Sequence, residues 1–93
     1  HENGSIAAIY QTGLMFYNGK IVKKDLNLAA EMIRIAANES IPPAAHDMGV
    51  LYFKGEGVDA DIGKSINWFK KGSELGVSAS DYLLYLIFSD QSL

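Results

Sequence analysis

The sequence predicts an all-α fold, an α/α solenoid of two helix–loop–helix units followed by one further helix. Three observations predict it. The phrase aromatic–aromatic–polar–glycine stands at Phe16–Gly19 and again at Tyr52–Gly55, 36 residues later. Sliding the chain against itself at that offset lays Ala8–Ser40 over Ala44–Gly76, with identities at Ala8/Ala44, Gly13/Gly49, Gly19/Gly55, Val22/Val58 and Asp25/Asp61. These identities fall where a helix pair needs special residues: a glycine inside the first helix, a glycine to close it, and an aspartate to start the second.

The first helix of each unit, expected over residues 6–18 and 42–54, reads AIYQTGLMFYNG or AAHDMGVLYFKG, with apolar residues at three- and four-residue spacing. Gly19 and Gly55 suit the left-handed residue that ends a helix. After a short loop, Asp25 and Asp61 stand as N-caps for second helices over 25–38 and 61–75, where a carboxylate accepts otherwise unpaired amide hydrogens. The expected buried stripe is Leu26, Ala29, Ala30, Ile33 and Ala37 in the first unit, and Ile62, Ser65, Ile66, Phe69 and Ser73 in the second. Pro42 and Pro43 open the second unit, since proline in a first helical turn forfeits no hydrogen bond.

A fifth helix is expected over 78–89. Ser78–Asp81 matches a capping box, with Ser78 as cap and Asp81 reaching back. The repeat register there is read as shifted by one residue, Ala79 answering Ala44, which puts Leu84 at the glycine position and Asp90 at the closing glycine. The chain thus divides as one domain, residues 1–93, with a first repeat at about 6–40, a second at about 42–76 and a partial third at 78–90. Mid-helix Gly13 and Gly49 each cost about 1 kcal/mol relative to alanine. Close approach of a neighbouring helix is the expected compensation.

Ala44, Met48, Gly49, Leu51, Tyr52, Gly55, Gly57, Val58, Asp61, Trp68, Phe69 and Gly76 together form a pattern that closely resembles the Sel1-like repeat, an α/α unit related to the tetratricopeptide repeat. The first unit fits less fully, with Thr12, Ile21 and Ser40 at the usual leucine, second loop glycine and final glycine. Ordinary tetratricopeptide repeats are the near alternative. The G-x-G-V-x2-D loop and the 36-residue period favour the Sel1-like form. The resemblance implies a non-enzymatic adaptor that holds protein partners. Some secreted relatives staple each repeat with a disulfide, which a chain without cysteine cannot do.

Composition excludes several other functions. A net charge of −3 and a pI near 5.2 oppose nucleic acid as a partner. The densest basic pairs, Lys23–Lys24 and Lys70–Lys71, read as solvated surface. No apolar run approaches the roughly 20 residues of a membrane span. The chain opens on His1 rather than methionine, as expected of a processed or excised chain, and a secreted or periplasmic location is compatible with that start.

Catalytic and ligand motifs fail on spacing. A phosphate loop needs four residues between its glycines, whereas Gly57 and Gly63 are separated by five. Asp59 and Asp61 lack the further ligands of a calcium loop. His46 and Asp47, as helix neighbours, point about 100° apart and make a poor acid–base or metal pair. No cofactor and no metal site is expected, and Asn3 and Asn38 match the glycosylation acceptor only as a common pattern.

The remaining candidate is a surface. Phe16, Tyr52, Trp68 and Phe69 are expected as core. Tyr10, Tyr17, His46, Phe53, Tyr82 and Tyr85 lie off that stripe. In related solenoids the first helices line the concave face. There Tyr10, Leu14 and Tyr17 are expected to align with His46, Val50 and Phe53, then with Asp81, Tyr82 and Tyr85, as one strip for a peptide or partner helix. The rival expectation is a structural terminal segment of a longer repeat protein with no site of its own. The last helix carries Leu83, Leu84, Leu86, Ile87 and Phe88, too many for one groove, and this predicts self-association or a following helix.

Overall fold

The computed structural model describes residues 3–89, which form α1 (Asn3–Asn18), α2 (Leu26–Asn38), α3 (Pro42–Lys54), α4 (Ile62–Glu74) and α5 (Ser78–Ser89), with no strand among the described residues. Each helix packs on its neighbour in sequence, α1 on α2, α2 on α3, α3 on α4 and α4 on α5. The result is elongated, 41 × 26 × 18 Å, as stacked helix pairs require.

Both predicted caps form. Asp25 accepts the Leu28 amide and Asp61 the Lys64 amide, each at 3.0 Å. The same two aspartates donate their own backbone N–H to the first helix of the unit, Asp25 to the Phe16 carbonyl at 3.0 Å and Asp61 to the Tyr52 carbonyl at 2.9 Å. One residue thereby starts the second helix and ties it to the end of the first. Gly55 ends α3 in the left-handed region. Ser40, at the position where the second unit has Gly76, adopts positive φ (64°) without being glycine. The turn geometry is retained where the preferred residue is not.

The core centres on small residues. Ala30, Ile33, Ala36 and Ala37 of α2 cluster with Ala44, Met48 and Leu51 of α3, all buried, and Ala29, Ala45 and Phe69 are buried beside them. Gly49 marks a close approach of α3 to α4. A Cβ there would stand 2.5 Å from the Phe69 ring, so the α3–α4 spacing depends on its absence. Ser65, fully buried beside it, donates its hydroxyl to the Gly49 carbonyl at 2.8 Å, which satisfies the polar atom burial would otherwise penalise. At Gly13 the gap is wider, 3.1 Å to Ile33 and Met32.

Three expectations are corrected. Ile62 is 49% exposed rather than part of the buried stripe. Its counterpart Leu26 is covered by the second loop, where the Gly57 backbone sits so close that a Cβ would stand 2.1 Å from the Leu26 carbonyl oxygen. No described residue provides that cover at Ile62. The capping box at α5 does not form: Ser78 is already helical, and Asp81 instead accepts the hydroxyl of Ser73 on α4.

The register also does not shift by one. Ser80, not Ala79, is fully buried, set against Gly72 as Ala44 is set in the core beside Ala36. From Ser80 the inward side continues through Leu84 and Ile87, at the spacing of Ala44, Met48 and Leu51. Tyr85 therefore occupies the place of Gly49, and its ring is 67% exposed. The expectation that Asp90 closes this helix lies outside the described residues.

Candidate interaction groove

Between α1 and α3 lies a depression of about 100 Å³ lined by Leu14, Tyr17, Asp47, Val50 and Leu51, with Ile33 of α2 at its base. Its walls exist because each first helix has two inner-facing edges. One packs on its own second helix, and the other meets the first helix of the next unit. Small-molecule pockets generally measure about 300–1,000 Å³. This one has room for a single side chain.

Two tyrosines of α1 tie the units together across it. Tyr10 donates its hydroxyl to Asp47 Oδ2 at 2.5 Å, and Tyr17 donates to Glu56 Oε1 at 2.8 Å. Burial, together with the bond to Asp47, holds the Tyr10 phenol well above its ordinary range. For Tyr17 the hydrogen bond to Glu56 is the main cause of an upward shift. Burial pushes the Asp47 carboxyl up, and the Tyr10 hydroxyl opposes that push by stabilising the anion.

Of the predicted strip, Leu14, Tyr17 and Val50 come together in the depression, with Tyr10 joined to it through Asp47. His46 does not join them. Its Nδ1 lies 2.8 Å from the Ser80 hydroxyl oxygen and its ring sits 5.4 Å from that of Phe69, so it faces α4 and α5. Phe53 is half-exposed at the end of α3, and Tyr82 and Tyr85 are exposed on α5. The structural positions differ in the same way: Ala44 is fully buried, while Ala8, with no described helix before α1 to cover it, is exposed.

Sequence reasoning missed Asp47, Leu51, Glu56 and Ile33. The available signal was Asp47 standing three and four residues before Val50 and Leu51, which puts it on their side of the helix. Among the described residues no group of His, Cys, Asp and Glu is arranged to hold a metal ion, and no helix is long and apolar enough to cross a membrane.

A chain of paired helices, the first of each pair closed by a left-handed glycine and the second capped by an aspartate, defines the class: an α/α repeat solenoid. The Sel1 repeat model matches residues 6–40 and 42–77, and the chain belongs to the Sel1 repeat family. Among solved structures it is similar to a Sel1 repeat protein from Oxalobacter formigenes, at 38% identity and a TM-score of 0.72 over 74% of this chain and 28% of that one. It is also similar to c5321, a protective antigen of uropathogenic Escherichia coli with an SLR fold, at 34% identity and a TM-score of 0.80 over 83% of this chain and 16% of that one. Cysteine-rich protein B (hcpB) of Helicobacter pylori aligns at 27% identity and a TM-score of 0.82 over 87% of this chain and 61% of that one. This chain therefore spans less than two thirds of the length of each, and less than a third of the first two. Sel1 repeats generally serve as non-enzymatic scaffolds that mediate protein–protein interaction.

Proposed function

We propose that residues 1–93 form a single protein-interaction domain that holds an extended peptide or partner helix on the face of its first helices. The observation that carries this reading is the depression between α1 and α3. It is apolar on its walls, sized for one side chain, and braced at both ends by tyrosine–carboxylate hydrogen bonds that fix its shape before anything binds. A preformed groove binds better because less ordering entropy is lost on association. Tyrosine adds apolar area with a polar tip, a combination enriched where proteins meet. One side-chain pocket supplies only part of an interface, so affinity is expected to be micromolar or weaker, worth about 8 kcal/mol or less.

The test uses a random-peptide display library selected on the immobilised 93-residue chain. Binding of recovered peptides is then compared in Val50→Arg and Tyr17→Ala, which alter the depression, and in Arg34→Ala and Lys70→Ala on the second helices. Loss confined to the first pair is the expected result. Loss confined to the second pair places binding on the outer side and overturns the reading.

A second reading has its own observation. Tyr82, Tyr85 and Phe88 leave α5 with an exposed apolar face, at the places that His46, Gly49 and Tyr52 take on α3, where α4 lays Phe69 and Lys64 against them. A structural segment packing on further chain would use that face, and binding-groove variants would then be silent.

A further inference from the structure

The groove reading leaves the chemistry of the bound side chain open, and the charges around the depression narrow it. No residue lining it is basic. Its one ionisable carboxylate, Asp47, is largely desolvated. Asp47 Oδ2 receives the Tyr10 hydroxyl. Asp47 is itself part of the lining, so its carboxylate is within reach of a side chain seated there. At the other end Glu56 holds the Tyr17 hydroxyl, and Lys24 Nζ lies over that ring, 6.0 Å from its centroid. A ligand cation therefore meets Glu56 paired with Tyr17 and Lys24 at one end, and at the other the Asp47 carboxylate, which has the Tyr10 hydroxyl and the neighbouring His46 beside it.

Resting on the groove reading, we propose that the bound segment presents a lysine or arginine, its aliphatic stem on Leu14 and Val50 and its cationic head on Asp47. Both side chains combine an apolar stem with a charged tip, which is the pattern of this depression: apolar wall, acidic end. A cation at the Asp47 carboxylate makes a charge-assisted hydrogen bond in a partly desolvated site, where water screens it less than at the open surface. Burial already makes the Asp47 anion unfavourable, so an arriving cation offsets a cost present in the free protein. A neutral apolar side chain would fill the volume and desolvate the carboxylate further without bringing a charge to offset that cost. An acidic side chain would meet repulsion as well.

The same display selection decides it. Recovered peptides are expected to be enriched in lysine or arginine next to apolar residues, and to bind more weakly as salt rises. For the strongest peptide, Asp47→Asn is expected to weaken binding roughly ten- to a hundred-fold, the usual effect of losing a charged hydrogen-bond partner. Asparagine keeps an acceptor for the Tyr10 hydroxyl, so the helical circular dichroism signal should persist. Replacing the peptide's lysine by norleucine should cost as much on the unaltered protein, and no more on Asp47→Asn. That arm stands even if the variant folds poorly. Peptides blocked by Val50→Arg yet not basic, and indifferent to Asp47→Asn and to norleucine, overturn the cation proposal alone. Peptides indifferent to Val50→Arg as well, or no enrichment at all, overturn it together with the groove reading.

Discussion

Replacing Gly49 by alanine sets two known effects against each other. Alanine in a helix interior is favoured over glycine by about 1 kcal/mol, because it loses less backbone entropy. Against this, the new methyl carbon would stand 2.5, 2.6 and 2.9 Å from three atoms of the Phe69 ring. Phe69 is only 1% exposed and its ring lies 5.4 Å from that of His46, so it has little free space into which to shift. Overpacking of this kind costs about 1–3 kcal/mol. With three ring atoms under 3 Å the upper part of that range applies, and the net effect is a destabilisation of about 1–2 kcal/mol.

Urea denaturation is the assay, with the midpoint shifting at constant slope. In a domain of this size each kcal/mol corresponds to a fall of roughly 4–8 °C in melting temperature. Gly13→Ala is the internal control. Its methyl would meet Ile33 and Met32 at 3.1 Å, and Met32 is half-buried and flexible, so its net effect should lie near zero. A stabilisation of Gly49→Ala by about 1 kcal/mol would mean that propensity alone governs the site, and would refute the close-packing argument.

Asp25→Ala and Asp61→Ala should each lower stability by about 0.5–2 kcal/mol in the same assay, since each loses an amide acceptor at a helix start. Ser40→Gly should raise it by about 0.5–1 kcal/mol, because Ser40 is exposed and holds a left-handed φ of 64° that glycine adopts without strain. The tyrosine phenols predict an alkaline slope. Their pKa is raised on folding, so the folded state binds the protons more tightly; that stability is present below about pH 10, the unfolded tyrosine value, and falls as pH rises beyond it. Tyr10→Phe should flatten the loss of denaturation midpoint seen between about pH 9 and 11. The exposed face of α5 predicts self-association of the 93-residue chain, seen as a concentration-dependent sedimentation coefficient that Tyr85→Lys abolishes; a concentration-independent monomer would contradict it.

The fold was legible because its punctuation is local. Gly19, Gly55, Asp25 and Asp61 act within a few residues of where they stand, and spacing alone locates them. Register in α5 was not legible, because Ala79 and Ser80 are both small. Only the facing Gly72, eight residues earlier in the chain but across a helix interface, selects the serine. The groove was half legible. Leu14, Tyr17 and Val50 follow from helical spacing, but His46 shares that spacing and is drawn instead to Ser80 and Phe69. Asp47 was missed because its role depends on Tyr10, a partner 37 residues away.

The central claim is that partners are held between the first helices, and amide chemical-shift mapping tests it most directly. A peptide recovered by selection is titrated into isotope-labelled protein and the perturbed amides are followed. The account predicts the largest shifts on α1 and α3, at Leu14, Tyr17, Asp47, Val50 and Leu51. Shifts clustered instead on the outer sides of α2 and α4, around Arg34 and Lys70, would contradict it.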